Sequence, residues 1–169
     1  MSGMHQVAEH LSTEAKRTTG DVADVFGRSA FNRYYYGVFL SVRRVLAASD
    51  SKWAKVAHKD IPELLEGEFT ARVRNQVTQL SSHGLIPVST GRRRVSEASS
   101  AASELASLLR VAYRVRIAAD YEPDKRVTFD RDEFALDGSS QGEARGWQRR
   151  VDRWTGVLFG VMKGIGLVH

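Results

Sequence analysis

The sequence predicts an all-α protein, an up-and-down bundle of four to five helices, and three observations carry that expectation. Apolar residues return at helical spacing in three long segments: Phe31, Tyr35, Val38, Phe39, Val42 and Leu46; Leu105, Leu108, Ala112, Val115 and Ala119; and Trp147, Val151, Trp154, Leu158 and Met162. Strand-like alternation is confined to Val127-Thr128-Phe129 and Phe134-Ala135-Leu136, where a small hairpin is weakly signalled. No internal repeat, low-complexity tract or linker interrupts the 169 residues, which are enough for one domain, spanning 1–169, with its own core.

A first amphipathic helix is expected from about His5 to Arg17, with Val7, Ala8, Leu11 and Ala15 on its apolar side. Thr18-Thr19-Gly20 breaks it, and Asp21 is placed to cap a second helix from about Val22 to Ala48. Gly27 and Gly37 lie inside that helix, where a glycine costs about 1 kcal/mol against alanine, so close packing is the expected reason for Gly37. After a break at Asp50-Ser51, the stretch Asp60-Ile61-Pro62-Glu63 has the form of a helix start, with a capping acid, an early proline and a carboxylate three residues on. A short helix through Leu64 and Leu65 leads to another from about Phe69 to Leu80. Gly84, Pro87 and Gly91 punctuate an expected loop from Ser81 to Arg94. The next helix is expected from about Ser96 to Ala119, stopped by Tyr121-Glu122-Pro123. Residues 124–142 read as irregular, and the last helix spans about Glu143 to Gly164.

Composition narrows the chemistry. The absence of cysteine excludes disulfides, thiol nucleophiles and cysteine zinc sites. His58 and His83, the mid-chain histidines, have no metal-like spacing, so no metal or cofactor is expected. Asp130-Arg131-Asp132-Glu133 with Asp137-Gly138 has only a faint likeness to a calcium loop, with the wrong spacing for an EF-hand. No apolar run approaches the ~20 residues that span a bilayer, and the polar stretch from Met1 to Lys16 lacks a signal-peptide core. A cytoplasmic protein without membrane association is expected. The net charge is +5 and arginine outnumbers lysine 19 to 6, which admits nucleic-acid or acidic protein partners. A GC-rich genome produces the same arginine bias.

Two motifs are more specific. Asn32-Arg33-Tyr34-Tyr35-Tyr36-Gly37-Val38-Phe39 sets an arginine beside three tyrosines inside an apolar helical pattern. A charge buried among apolar residues requires a partner, and Asp120 in Arg116-Ile117-Ala118-Ala119-Asp120-Tyr121 is the expected one. The expectation is a structural pair, Arg33 with Asp120, whose polar surroundings include Tyr36, Arg116 and Tyr121. The alternative use of these residues is a pocket for a nucleotide or an RNA phosphate, with Arg28 and Asn32, one turn apart, lining a groove.

The first motif resembles the Ser-Arg-Ala-Tyr-Tyr-Ala-x-Phe helix of bacterial and archaeal HEPN (higher eukaryotes and prokaryotes nucleotide-binding) domains. The second is similar to their Arg-x-x-Ala-Asp-Tyr signature, and His58 is similar to a histidine that follows the second helix in that group. The resemblance covers about residues 20–165. It implies a helical bundle, usually dimeric, found in toxin–antitoxin pairs beside a minimal nucleotidyltransferase and in phage-defence and RNA-processing systems. Many such proteins are metal-independent ribonucleases, in which a histidine follows an arginine after four to six intervening residues. The histidine moves the proton and the arginine stabilises the phosphorane.

This chain departs from that pattern. None of His5, His10, His58, His83 and His169 follows an arginine at the required distance; the nearest approach is Arg74, nine residues before His83. Leu40 stands where relatives of this subgroup often carry histidine. Nor does the sequence hold a P-loop or a nucleotidyltransferase Gly-Ser with paired aspartates, so nucleotidyl transfer would fall to a partner.

Three function classes remain. The first is a non-catalytic HEPN-like component of a toxin–antitoxin or defence module that binds a protein partner, with a nucleotidyltransferase or nuclease as candidate, and RNA or a nucleotide. The second is a ribonuclease with a rearranged site using His58 or His83. The third is a structural subunit of a larger effector. Candidate ligand contacts are Arg28, Asn32, the loop arginines Arg92, Arg93 and Arg94, and Arg149 and Arg150, which share a basic helix face with Arg145 and Arg153. Solvated charge explains the last two groups as well. A homodimer, or a heterodimer with a related subunit, is expected.

Overall fold

The structure, a computed structural model, describes residues 3–168. It is an all-α helical bundle with one small sheet. The helices are α1 (Gly3–Arg17), α2 (Gly20–Ser49), α3 (Ile61–Leu64), α4 (Thr70–Ser82), α5 (Val88–Tyr121) and α6 (Gln141–Gly164), and the strands β1 (Thr128–Asp130), β2 (Glu133–Leu136) and β3 (Ser139–Ser140) lie between α5 and α6 in sequence. The chain groups into two compact units, one built from the residues up to Leu40 with Leu109–Arg150, the other from Ser41–Leu108 with the residues from Val151 onward. Among the described residues no helix is long and apolar enough to cross a membrane.

In the first unit, α1 buries His5, Ala8, Ser12 and Ala15. The stripe is therefore turned from the expected one: Val7 is exposed and Leu11 only half-buried. The reason is polar, because His5 and Ser12 are drawn in by Tyr34. On α2, Phe31, Tyr34, Tyr35, Val38 and Phe39 are buried. Asp21 lies inside the first turn of α2 and pairs with Arg126 instead of capping. One turn on, the carboxylate of Asp24 accepts a hydrogen bond from the Val127 backbone N–H at 2.7 Å. A Cβ at Gly27 would sit 3.1 Å from Val127 Cγ1, so this glycine lets the segment entering β1 lie against α2.

The expected hairpin is an antiparallel meander, β1-β2-β3, with Phe129 opposite Phe134 and Leu136 opposite Ser139. Asp137 and Gly138 form its second turn with φ of 49° and 80°, the left-handed pair that a two-residue type I′ turn requires. Phe134 anchors the meander edge-to-face on Phe31, with centroids 5.6 Å apart. Residues 124–142 are thus more ordered than the sequence suggests. The Asp137 carboxylate is held by Lys125 at 2.8 Å and Arg114 at 3.2 Å.

In the second unit, Asp50 ends α2 and caps a 3-10 turn, Ser51–Lys55, by accepting from the Lys52 backbone N–H. After the turn His58–Asp60, α3 begins at Ile61 with Pro62 in its first turn, as the sequence predicts, although the Asp60 side chain makes no capping bond. A π-helical turn, Leu65–Phe69, then joins α3 directly to α4, so the two expected helices form one run. The core of this unit holds Trp53, Phe69, Val73, Leu105, Leu158 and Met162. The expected loop from Ser81 to Arg94 shrinks to residues 83–87, and α5 starts at Val88. Gly91 is not punctuation: it is buried in α5, and a Cβ there would lie 2.8 Å from Val77 Cγ1 and 3.0 Å from Ser81 Oγ. The missing side chain lets α5 lie close against α4 at this position.

Candidate functional site

The two motifs meet in the first unit, though not through Arg33. Asp120 Oδ1 accepts a 2.6 Å hydrogen bond from Asn32 Nδ2, and Asp120 Oδ2 lies 2.9 Å from Arg116 Nε. That N–H does not point along the contact, so the interaction with Arg116 is an ion pair rather than a hydrogen bond. Arg33 is half-buried and makes no ion pair or side-chain hydrogen bond among the described residues. The expected Arg33–Asp120 pair is corrected for two reasons. Arg116 precedes Asp120 by one helical turn and takes its charge within α5. Across the helices, Asn32 faces the carboxylate, while Arg33 points about 100° further round α2.

Arg116 organises the rest of this cluster. Its Nη2 donates to the Tyr121 hydroxyl at 3.1 Å, and its guanidinium sits 4.8 Å from the Tyr121 ring centre. Burial pulls the Arg116 pKa down, but hydrogen bonds with Tyr121 and Tyr36 and the Asp120 charge hold it above its ordinary value. Burial likewise pushes the Tyr35 phenol up, against the opposing charge of Arg116. Tyr36, Arg116 and Tyr121 are therefore together, as the sequence implies, around Asn32 and Asp120.

Arg28, one turn before Asn32, has a use the sequence does not announce. Its guanidinium donates to the backbone carbonyls of Ala119 at 2.9 Å, Ala118 at 2.7 Å and Glu122 at 3.1 Å, and to that of Lys125. The last carbonyls of a helix have no partner within it, so Arg28 caps the C-terminus of α5 from α2. All three N–H-bearing nitrogens are occupied, which removes Arg28 from the candidate RNA contacts.

A second polar cluster lies deeper in this unit. The Tyr34 hydroxyl donates to Glu9 at 2.6 Å, lies 3.1 Å from Ser12 Oγ and accepts from Gln141 at 3.3 Å. Burial first, and the hydrogen bond to Glu9 next, push its pKa up to about 12. Glu9 also pairs at 3.2 Å with Arg145, whose side chain remains largely exposed. Arg149 and Arg150 are exposed on α6. In the second unit Arg153 stacks over Trp154 at 4.6 Å.

The remaining candidates lie in the second unit. Arg92, Arg93 and Arg94 are in the first two turns of α5, not on a loop. Arg93 and Arg94 both reach Glu97, at 3.8 and 3.6 Å, and Arg94 also lies against Gly164. Arg92 instead lines a cleft of about 620 Å³ between α4 and α5, whose other side carries Arg74. Val77, Gly91 and Val95 form its floor, and Thr78, Ser81 and Ser96 bring hydroxyls. Among the described residues no carboxylate lines it, and neither arginine side chain has an ion pair or hydrogen bond. Sequence reasoning missed this site. Its signal is the helical spacing of Arg74, Thr78 and Ser81 opposite Val88, Arg92 and Val95, legible only once α5 is known to begin at Val88.

His58 is half-buried in its turn, and His83 is the exposed residue that ends α4. Arg74 and His83 are nine residues apart, two and a half helical turns, which sets them on opposite sides of α4 and about 13 Å apart along it. One phosphate cannot be served by both. Comparison with protein-family models, with curated proteins and with solved structures finds no match.

Proposed function

We propose that this chain is a HEPN-like binding protein, a non-catalytic component of a prokaryotic toxin–antitoxin or phage-defence module that engages a protein partner and RNA. The observation that carries this reading is the meeting of the two motif stretches, 88 residues apart, at the Asn32–Asp120 hydrogen bond with Arg116 and Tyr121 around it. The bundle suits it, and so do exposed basic side chains that the fold does not consume, Arg74 and Arg92 among them. In the same reading the protein works in the cytoplasm as a dimer, of two copies or with a related subunit, and a nucleotidyltransferase or nuclease is its partner.

The test is purified protein mixed with total RNA and transfer RNA in the presence of EDTA. The reading predicts intact RNA and a mobility shift that fades as salt rises, because phosphate binding releases counterions. Site-specific cleavage that disappears in His58→Ala or His83→Ala would overturn it and promote the ribonuclease reading.

A further inference from the structure

We propose that the α4–α5 cleft is a docking groove for an acidic amphipathic helix of a partner protein. The inference rests on the reading of the chain as a binding protein and names the chemistry of one partner. The charge in the cleft is one-sided: Arg74 and Arg92 face it, no carboxylate among the described residues lines it, and the nearby Glu97 is already engaged by Arg93 and Arg94. An arginine fork without an acceptor is matched by a carboxylate, which it can hold through two parallel hydrogen bonds.

The floor selects against a bare anion. Val77, Val88 and Val95 are aliphatic, and Val88 is 59% exposed at one end of the cleft. Leu85, three residues earlier, is 67% exposed. An occupant that offers only charge leaves these side chains in water, whereas a helix with one apolar stripe covers them. From Val88 to Ser96 the groove follows about 12 Å of α5, room for two turns of helix with apolar anchors at i, i+3 or i+4, and i+7. Single-stranded RNA fits less well, because no aromatic residue among those described lines the cleft to stack a base.

The test uses the full chain and three fluorescein-labelled probes. These are a 15-residue helical peptide with leucines on one face and glutamates elsewhere, the same peptide with lysines for glutamates, and a 20-nucleotide oligouridine. Fluorescence polarisation is expected to show the glutamate peptide binding at least about tenfold more tightly than the lysine peptide. In Arg74→Glu/Arg92→Glu the preference should reverse, and binding of the lysine peptide by that variant also shows that it is folded. Equal binding of the two peptides, or a preference that survives the double substitution, overturns the proposal. Oligouridine binding that depends on Arg74 and Arg92 while the glutamate peptide fails assigns the cleft to RNA; the proposal then falls and the binding reading stands. Failure of all three probes overturns the proposal, while the binding reading stands or falls with the mobility shift on transfer RNA.

Discussion

Arg28 and Arg92 are both arginines that meet α5, one at its end and one at its beginning. Arg28 comes from α2 and fills its guanidinium with four carbonyls at and just beyond the C-terminus of α5. Arg92 belongs to the first turns of the same helix, and its side chain has no ion pair or hydrogen bond among the described residues. The difference follows from the polarity of a helix. Its C-terminus presents bare carbonyls, which a guanidinium satisfies, while its N-terminus presents spare N–H groups, which offer an arginine nothing. At the first end the helix itself supplies the acceptors; at the second an arginine needs a side-chain partner, which Arg93 and Arg94 find in Glu97 and Arg92 does not.

The sharpest break in this comparison is at Arg28. Arg28→Ala removes the side-chain donor from four carbonyls, of which Ala118 and Ala119 lie in the last turn of α5, and is expected to destabilise the protein by about 3 kcal/mol in urea unfolding, since a hydrogen bond to a charged donor contributes about 1.5–3 kcal/mol. Arg28→Lys should recover only part of this, because one ammonium cannot span the same set of acceptors.

Tyr34 sharpens the contrast by pH. Its phenol, raised from 10.0 to about 12, holds its proton more tightly folded than unfolded. Its contribution is therefore fully present below pH 10 and is lost as the pH rises toward 12. Across that range the stability advantage of the wild type over Tyr34→Phe should shrink by about 2–3 kcal/mol. A constant difference between the two proteins would show that the hydroxyl is not buried against Glu9.

Gly91 probes the cleft side. Gly91→Val puts a side chain where even a Cβ would meet Val77 at 2.8 Å, and overpacking of this kind costs about 1–3 kcal/mol. Thermal unfolding should place the loss near the middle of that range. The smallest effect is expected at Arg33. Paired with Asp120 in a core it would cost about 3–5 kcal/mol to remove. With Asn32 and Arg116 taking Asp120 instead, Arg33→Ala should change unfolding by less than about 0.5 kcal/mol, while Asn32→Ala costs about 1 kcal/mol.

The helical pattern was legible because apolar spacing on α2, α5 and α6 is set by the core, and the core stripes at Phe31, Val115 and Trp147 fall where periodicity places them. The start of α5 was not legible, since Gly91 has the same composition signal in a loop and at a tight helix crossing. The Asp137-Gly138 turn was present in the sequence as the strongest short hairpin signal, but the weak alternation around it hid the meander. At the site, the participation of Asp120, Tyr36, Arg116 and Tyr121 could be read from the motifs. Which residue of Asn32-Arg33 meets Asp120 could not, because that depends on a rotation of about 100° between α2 and α5 that one sequence does not encode visibly. The α4–α5 cleft was illegible for a related reason: its two arginines are 18 positions apart and come to line one cleft only through a connection of residues 83–87.

The division between structural and unconsumed arginines is tested most directly by urea unfolding of Arg28→Ala beside Arg74→Ala/Arg92→Ala. The account predicts a loss of about 3 kcal/mol for the single substitution and a change within about 0.5 kcal/mol for the double one. Equal losses, or a stable Arg28→Ala beside an unstable double variant, would contradict it.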